Sequence, residues 1–125
     1  MKIGLVTGCF DRFHEGHRYF LEQAGMRCGY LIVAVNTDAS VRALKGLSRP
    51  YDYLMTRIEK VERQTWVDAV IPFNGDNDKL TACIKPDLLI RGWDQSVLPS
   101  TVPIVRISQL PGYSTTLLAH ERPAR

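Results

Sequence analysis

Residues 2–17 read Lys2-Ile3-Gly4-Leu5-Val6-Thr7-Gly8-Cys9-Phe10-Asp11-Arg12-Phe13-His14-Glu15-Gly16-His17. The first part is a short apolar run that stops at a glycine, as a buried strand does. A loop carrying Asp11 and His14 follows, and then Tyr19, Phe20, Leu21 and Ala24 fall at helical spacing, with Gly25 and Gly29 near the helix end. Two histidines three residues apart at the opening of a helix can point in one direction. Gly16 between them has no Cβ, so a bulky anion can approach the backbone closely. The helix start adds N–H groups and a partial positive charge. Strand, loop and helix together make a site for phosphate whose charge grows in a transition state.

Working outward, Tyr30 to Val35 is a continuous apolar run, typical of a strand covered on both faces. Asn36-Thr37-Asp38 supplies capping residues for a short helix from Ala39 to Leu44. Lys45 to Tyr51 reads as a loop. A further helix is expected with Leu54, Ile58 and Val61 on one face. Val67 to Phe73 reads as a third strand whose end is marked by Pro72, and Asn74 to Asn77 is a turn into a short helix around Lys79 to Ile84. Asp87 to Ile90 is the fourth strand and Pro103 to Ile107 the fifth. The tail from Thr115 begins as a helix. Strands alternating with helices predict an α/β fold, a Rossmann-like three-layer sandwich with a five-stranded parallel sheet. Ligands of such sheets lie beyond the carboxyl ends of the strands, where these loops carry the chemical residues.

The 125 residues fit a single domain, 1–125. A charged fraction of 23% and a hydrophobic fraction of 45% are those of a soluble globular protein. The net charge of +3 suits an anionic substrate, and the lack of a dense basic run speaks against nucleic acid. Cys9, Cys28 and Cys83 form no C-x-x-C pair and are read as free thiols. Gly8 and Asp11 come too early for a signal peptide, and no apolar stretch reaches the roughly 18 residues of a membrane span. A cytoplasmic protein is expected.

The segment His14-Glu15-Gly16-His17 comes near the zinc protease pattern His-Glu-x-x-His. The i, i+3 spacing here is not the i, i+4 pair that zinc needs, so no metal-ligand residues are assigned. A merely capping or packing pair of histidines is the other plain reading, against which the glycine and the strand–loop–helix context weigh.

Gly8-x-Phe10-Asp11-x-x-His14-x-Gly16-His17 resembles the HxGH signature of the cytidylyltransferase-like nucleotidyltransferase superfamily. Gly112-Tyr113-Ser114-Thr115-Thr116 reads alone as a helix N-cap. Beside the first motif it resembles that superfamily's Ile-Ser-Thr-Thr element, which holds the triphosphate. Small cytidylyltransferases often carry Arg-Thr before it, where this chain has Gln109-Leu110. The stretch Leu31 to Ser40, Leu44-Lys45-Gly46, Ser48-Arg49-Pro50 and Lys85 to Asp94 resemble the adenylyltransferase part of the ADP-heptose synthesis enzymes. Arg91-Gly92-Trp93-Asp94 replaces that family's usual Lys-Gly-Gly-Asp. The similarity runs from about Lys2 to Thr116 and includes no sugar kinase domain.

The resemblance implies His14, His17 and Lys45 as catalytic residues. It implies a nucleotide site built from Gly8, Cys9, Phe10, Gly16, Arg57, Arg91, Gly92, Asp94, Tyr113, Ser114, Thr115 and Thr116, with Asp11, Asn36 and Asp38 toward the second substrate. For Arg57 a triphosphate contact and an outward-facing helical position both stand. Lys45 has a solvated-surface alternative, and Trp93 lines a base pocket or closes the core. The implied reaction transfers a nucleoside monophosphate from a nucleoside triphosphate, ATP before CTP, to a phosphorylated small molecule such as heptose 1-phosphate. Mg²⁺ bridging the phosphates and a homodimer are implied with it, and neither nucleic acid nor a membrane is a partner. The alternatives are a CTP-dependent glycerol-3-phosphate cytidylyltransferase and a nucleotide-binding module without catalysis.

Overall fold

Five strands, β1 (Ile3–Gly8), β2 (Tyr30–Asn36), β3 (Ala69–Phe73), β4 (Leu88–Gly92) and β5 (Ile104–Ile107), lie parallel in one sheet in the order β3-β2-β1-β4-β5. The computed structural model describes residues 1–93, 95 and 100–108. Among the described residues four helices join the strands: α1 (Glu15–Gly25), α2 (Asp38–Lys45), α3 (Leu54–Glu62) and α4 (Asn77–Ile84). Side chains of a strand alternate between sheet faces, and the core divides accordingly. Val6, Val33 and Ile90 join Leu21 and Ala24 of α1 and Ile58 and Val61 of α3 in one cluster. Leu5, Ala34 and Phe73 form the second cluster, against which Leu80 of α4 packs. Covering both faces explains why the β2 run is apolar without alternation. Each fully buried Val, Leu or Ile contributes about 1.5–3 kcal/mol.

Local chemistry sets the helix ends. The Thr37 hydroxyl accepts the Ser40 N–H at the start of α2, and Gly46 closes that helix at φ +107°. Asp76 accepts the Lys79 N–H at the start of α4, which ends on Lys85 at φ +53°. α1 begins at Glu15 with His14 as its cap, so the two histidines stand at the opening of the helix as the sequence reading has it. Two boundaries depart from that reading. β3 starts at Ala69 and runs through Pro72, which pairs in register with Val35. Proline has no N–H to give, but β3 is an edge strand of the described sheet and loses little by it. β4 continues past Ile90, so Arg91 and Gly92 belong to the strand and pair with Arg106 and Ile107. The expected helix from Thr115 lies outside the described residues.

The chain leaves β1 toward β2 and β3, then crosses to the other side of β1 for β4 and β5. The reversal between β1 and β4 opens a crevice at the carboxyl ends of the strands.

Candidate active site

The last residues of all five strands, Gly8, Asn36, Phe73, Gly92 and Ile107, line one cavity of about 860 Å³. His14, Gly16 and His17 at the start of α1 and Lys45 at the end of α2 face the same cavity. A second cavity of about 300 Å³ borders α4 and shares Thr7, Asn77 and Arg91, but no histidine or lysine lines it.

The two imidazoles stack with centroids 3.9 Å apart and planes 24° from parallel. His14 Nδ1 accepts the Gly16 N–H at 3.0 Å, and His17 Nδ1 accepts the His14 N–H at 3.2 Å. A neutral imidazole that accepts on Nδ1 carries its proton on Nε2, so this hydrogen-bond network makes both rings Nε2–H donors. Burial holds His17 neutral, with the neighbouring His14 and Lys45 adding to it, and its pKa falls to about 3. Burial also lowers His14, and Glu15 offsets part of that. Phe10 and Phe13 pack on the His17 ring at 5.4 and 5.3 Å between centroids. Phe10 reaches that place from a left-handed backbone at φ +52°. It lies so close that a Cβ on Gly8 would stand 2.8 Å from its ring. Of the N–H groups at the helix start, that of Gly16 is given to His14.

Arg57 lies elsewhere than a triphosphate contact or an outward face would put it. Its side chain is fully buried in α3 and is not on the cavity wall. Nε donates to the Asp52 carbonyl, one terminal nitrogen to the carbonyls of Cys9 and Asn36, and the other to Asp38 at 2.7 Å. The guanidinium thus ties the ends of β1 and β2 to α2 and α3. Asp38 is spent on this tie and is likewise off the wall. Asn36 does line the cavity, donating to Ser40 and accepting from the Cys9 thiol at 3.8 Å. Asp11 lines it too, but its carboxylate accepts the N–H groups of Tyr51 and Asp52 at 2.7 and 2.9 Å. Burial by itself raises that carboxyl, and these N–H groups with Arg57 outweigh it and hold the pKa below the usual aspartate value. Burial raises the Cys9 thiol, with Lys45 and Arg57 opposing.

On the β4 side, Arg91, Gly92 and Trp93 meet the cavity. Arg91 donates to the Thr7 hydroxyl, and burial, then Arg106, lowers its pKa. Trp93 is 54% exposed, so it does not close the core. Gln95 accepts from Gly92 N–H and donates to the Thr7 carbonyl, tying the loop after β4 to β1. Asp94, Tyr113, Ser114, Thr115 and Thr116 lie outside the described residues. Arg12, Arg49, Tyr51 and Gln95 are also on the wall. The sequence reading places the acceptor among the loops 10–13 and 46–53, which hold the first three, without giving any of the four side chains a role. Basic residues beside the histidine motif were the available signal.

Among the described residues no group of three or more His, Cys, Asp or Glu side chains could hold a metal ion. No helix among them is long and apolar enough to cross a membrane.

The cytidylyltransferase-like family model matches residues 5–116. A Bifunctional protein HldE from Hydrogenovibrio crunogenus is 38% identical over 125 residues, covering 92% of this chain and 26% of that protein. Another from Alkalilimnicola ehrlichii is 44% identical over 94 residues, covering 74% of this chain and 20% of its own length. The chain therefore spans about a quarter or less of these relatives. The lipopolysaccharide core biosynthesis protein from Thermoplasma volcanium superposes with a TM-score of 0.79 at 28% identity, covering 88% of this chain and 98% of that one. Pantothenate synthetase from Thermus thermophilus gives a TM-score of 0.62 at 12% identity, covering 88% and 56%, a likeness of fold alone.

Proposed function

The chain belongs to the cytidylyltransferase-like family, and on that premise we propose that it is a nucleotidyltransferase joining the nucleoside monophosphate of ATP to a sugar phosphate such as heptose 1-phosphate. The observation that carries this is the pair of neutral imidazoles, each pinned at Nδ1 by a backbone N–H and therefore a donor at Nε2, on the wall of a cavity rich in cations. The resemblance of Leu31–Ser40 and Lys85–Asp94 to the adenylyltransferase part of the ADP-heptose synthesis enzymes favours ATP and a heptose.

In this reading an oxygen of the acceptor phosphate attacks the α-phosphorus, a new P–O bond forms, and the bond to the β-phosphate oxygen breaks to release pyrophosphate. Little covalent work falls to the protein, so catalysis is positioning and charge stabilisation. His14 and His17 donate to the α-phosphate and bridging oxygens without giving up their protons. Lys45, on a flexible stem, follows the charge as it moves to the leaving group. Ser114 to Thr116 grip the departing pyrophosphate. Asp11 is the single carboxylate on the described wall, and it is already hydrogen-bonded. With so few hard donors, the wall suits Mg²⁺ arriving with the nucleotide; Asp11 and Asn36 would help to hold it, and it would neutralise charge on the phosphates. The protein would act in the cytoplasm, as a homodimer.

Pyrophosphate release with ATP and with CTP, across a panel of sugar 1-phosphates and polyol phosphates, tests the proposal. Release with ATP and a heptose 1-phosphate is the expected result. Release only with CTP and glycerol 3-phosphate would reassign the substrates, and nucleotide binding without release from any pair would leave a binding module.

A further inference from the structure

One side of the cavity gathers cations that have no counter-ion among the described residues. The guanidinium carbons of Arg12 and Arg49 lie 4.1 and 4.4 Å from the centroid of the Tyr51 ring. All three side chains line the cavity, with Lys45 on the same wall. Two like charges over one ring repel each other, and the ring quadrupole offsets only part of that. A carboxylate would ordinarily complete such a group. Among the described residues the ion pairs are Arg18–Glu15, Arg57–Asp38, Lys60–Asp52 and Arg63–Glu59, and neither Arg12 nor Arg49 takes part. Asp11, next to Arg12 in the chain, is held away by the N–H groups of Tyr51 and Asp52. Arg49 Nε is shielded from solvent and makes no hydrogen bond. Arg12 itself sits in the left-handed region at φ +49°, a conformation that costs free energy in a non-glycine residue and persists only where the surroundings enforce it.

Topology says which reactant this side serves. Arg12 is clasped through Asp11 to the entrance of α3, which packs on β2 and β3. Arg91, Gly92 and Trp93 line the cavity at the end of β4, across β1, where the strand order reverses and a nucleotide is expected. The stacked histidines follow β1, between the two sides. We propose that Arg12 and Arg49, oriented by Tyr51, hold the phosphate monoester dianion of the acceptor. Naming the acceptor rests on the nucleotidyl-transfer reading, whereas an anion clamp at these arginines does not. Paired guanidiniums match phosphate oxygens in a planar fork, and here they would hold the attacking dianion beside a polyanionic triphosphate that otherwise repels it.

The test varies both substrates in steady-state kinetics for the wild type, Arg12→Gln and Arg49→Gln, and titrates each protein with inorganic phosphate by ³¹P NMR. Each glutamine variant is expected to raise the acceptor KM by about tenfold or more, as loss of a charged hydrogen bond does, with the nucleotide KM within about twofold of wild type. Phosphate affinity should fall in parallel. Arg12→Lys and Arg49→Lys keep the charge without the planar fork. Their smaller rise in acceptor KM guards against loss through misfolding. A rise in nucleotide KM instead, showing that the arginines serve the triphosphate, would overturn the proposal. So would an unchanged acceptor KM or unchanged phosphate affinity. A wild type that releases no pyrophosphate with any acceptor defeats the transfer reading and the acceptor assignment with it, while the phosphate titration separately decides whether the clamp binds anions.

Discussion

Replacing Arg57 by methionine separates a structural tie from a nucleotide contact. The arginine side chain has 0% exposure, and methionine would fill much of its stem while offering no donor. Three carbonyls, those of Cys9, Asn36 and Asp52, would lose this partner, and Asp38 would lose its cation. Breaking a buried charge pair costs about 3–5 kcal/mol. Because the Asp38 side chain is 30% exposed and can regain water, the lower end, about 3 kcal/mol, applies. For a domain of this length one kilocalorie moves the midpoint by about 4 °C, so Arg57→Met should melt about 12 °C lower. Urea unfolding should show the same loss with an unchanged slope. A fall of less than about 3 °C, joined to a marked rise in the nucleotide KM, would refute the tie and return Arg57 to the triphosphate.

Three other outcomes follow from the site. His17→Ala should lower kcat at least about a hundredfold, the usual effect of losing a donor to a developing charge, and near-normal turnover would remove the imidazole pair from the mechanism. Lys45→Ala should lower turnover similarly with little change in melting, since Lys45 is exposed; a large loss of stability would make it structural. The third concerns acid. Burial, helped by His14 and Lys45, lowers His17 from 6.5 to about 3, so in between the unfolded chain binds a proton that the folded chain refuses. Stability therefore falls as pH drops from about 6.5 toward 3, by up to about 1.4 kcal/mol per pH unit. Urea titrations across that range should show a shallower slope for His17→Gln than for wild type, and equal slopes would contradict the buried neutral imidazole.

The alternation of apolar runs with helical spacings was legible because each element declares itself over a few neighbouring residues. The crevice followed from topology, and the histidine pair from a local motif. What stayed hidden depends on contacts made at long range. Arg57 meets carbonyls 48 and 21 positions away, and nothing in the spacing of α3 distinguishes a helical arginine that is buried from one that is solvated. Asp38, expected to face a substrate, is off the cavity wall and paired with Arg57, and Asp11, which does line the cavity, also accepts N–H groups about 40 residues on. The stack on Tyr51 escaped notice for the same reason, since Arg12 and Arg49 meet only once the loop after β1 is fastened to α3.

The proline within β3 has a consequence beyond its own pairing. An outer strand with open N–H and carbonyl groups invites a strand from another molecule, the first step toward fibrous aggregates. At position 72 the pyrrolidine ring takes away a donor and adds bulk, leaving a gap in any ladder built outward from this border. Growth of the sheet from one molecule into the next is discouraged there, and contact between copies is directed to side-chain surfaces.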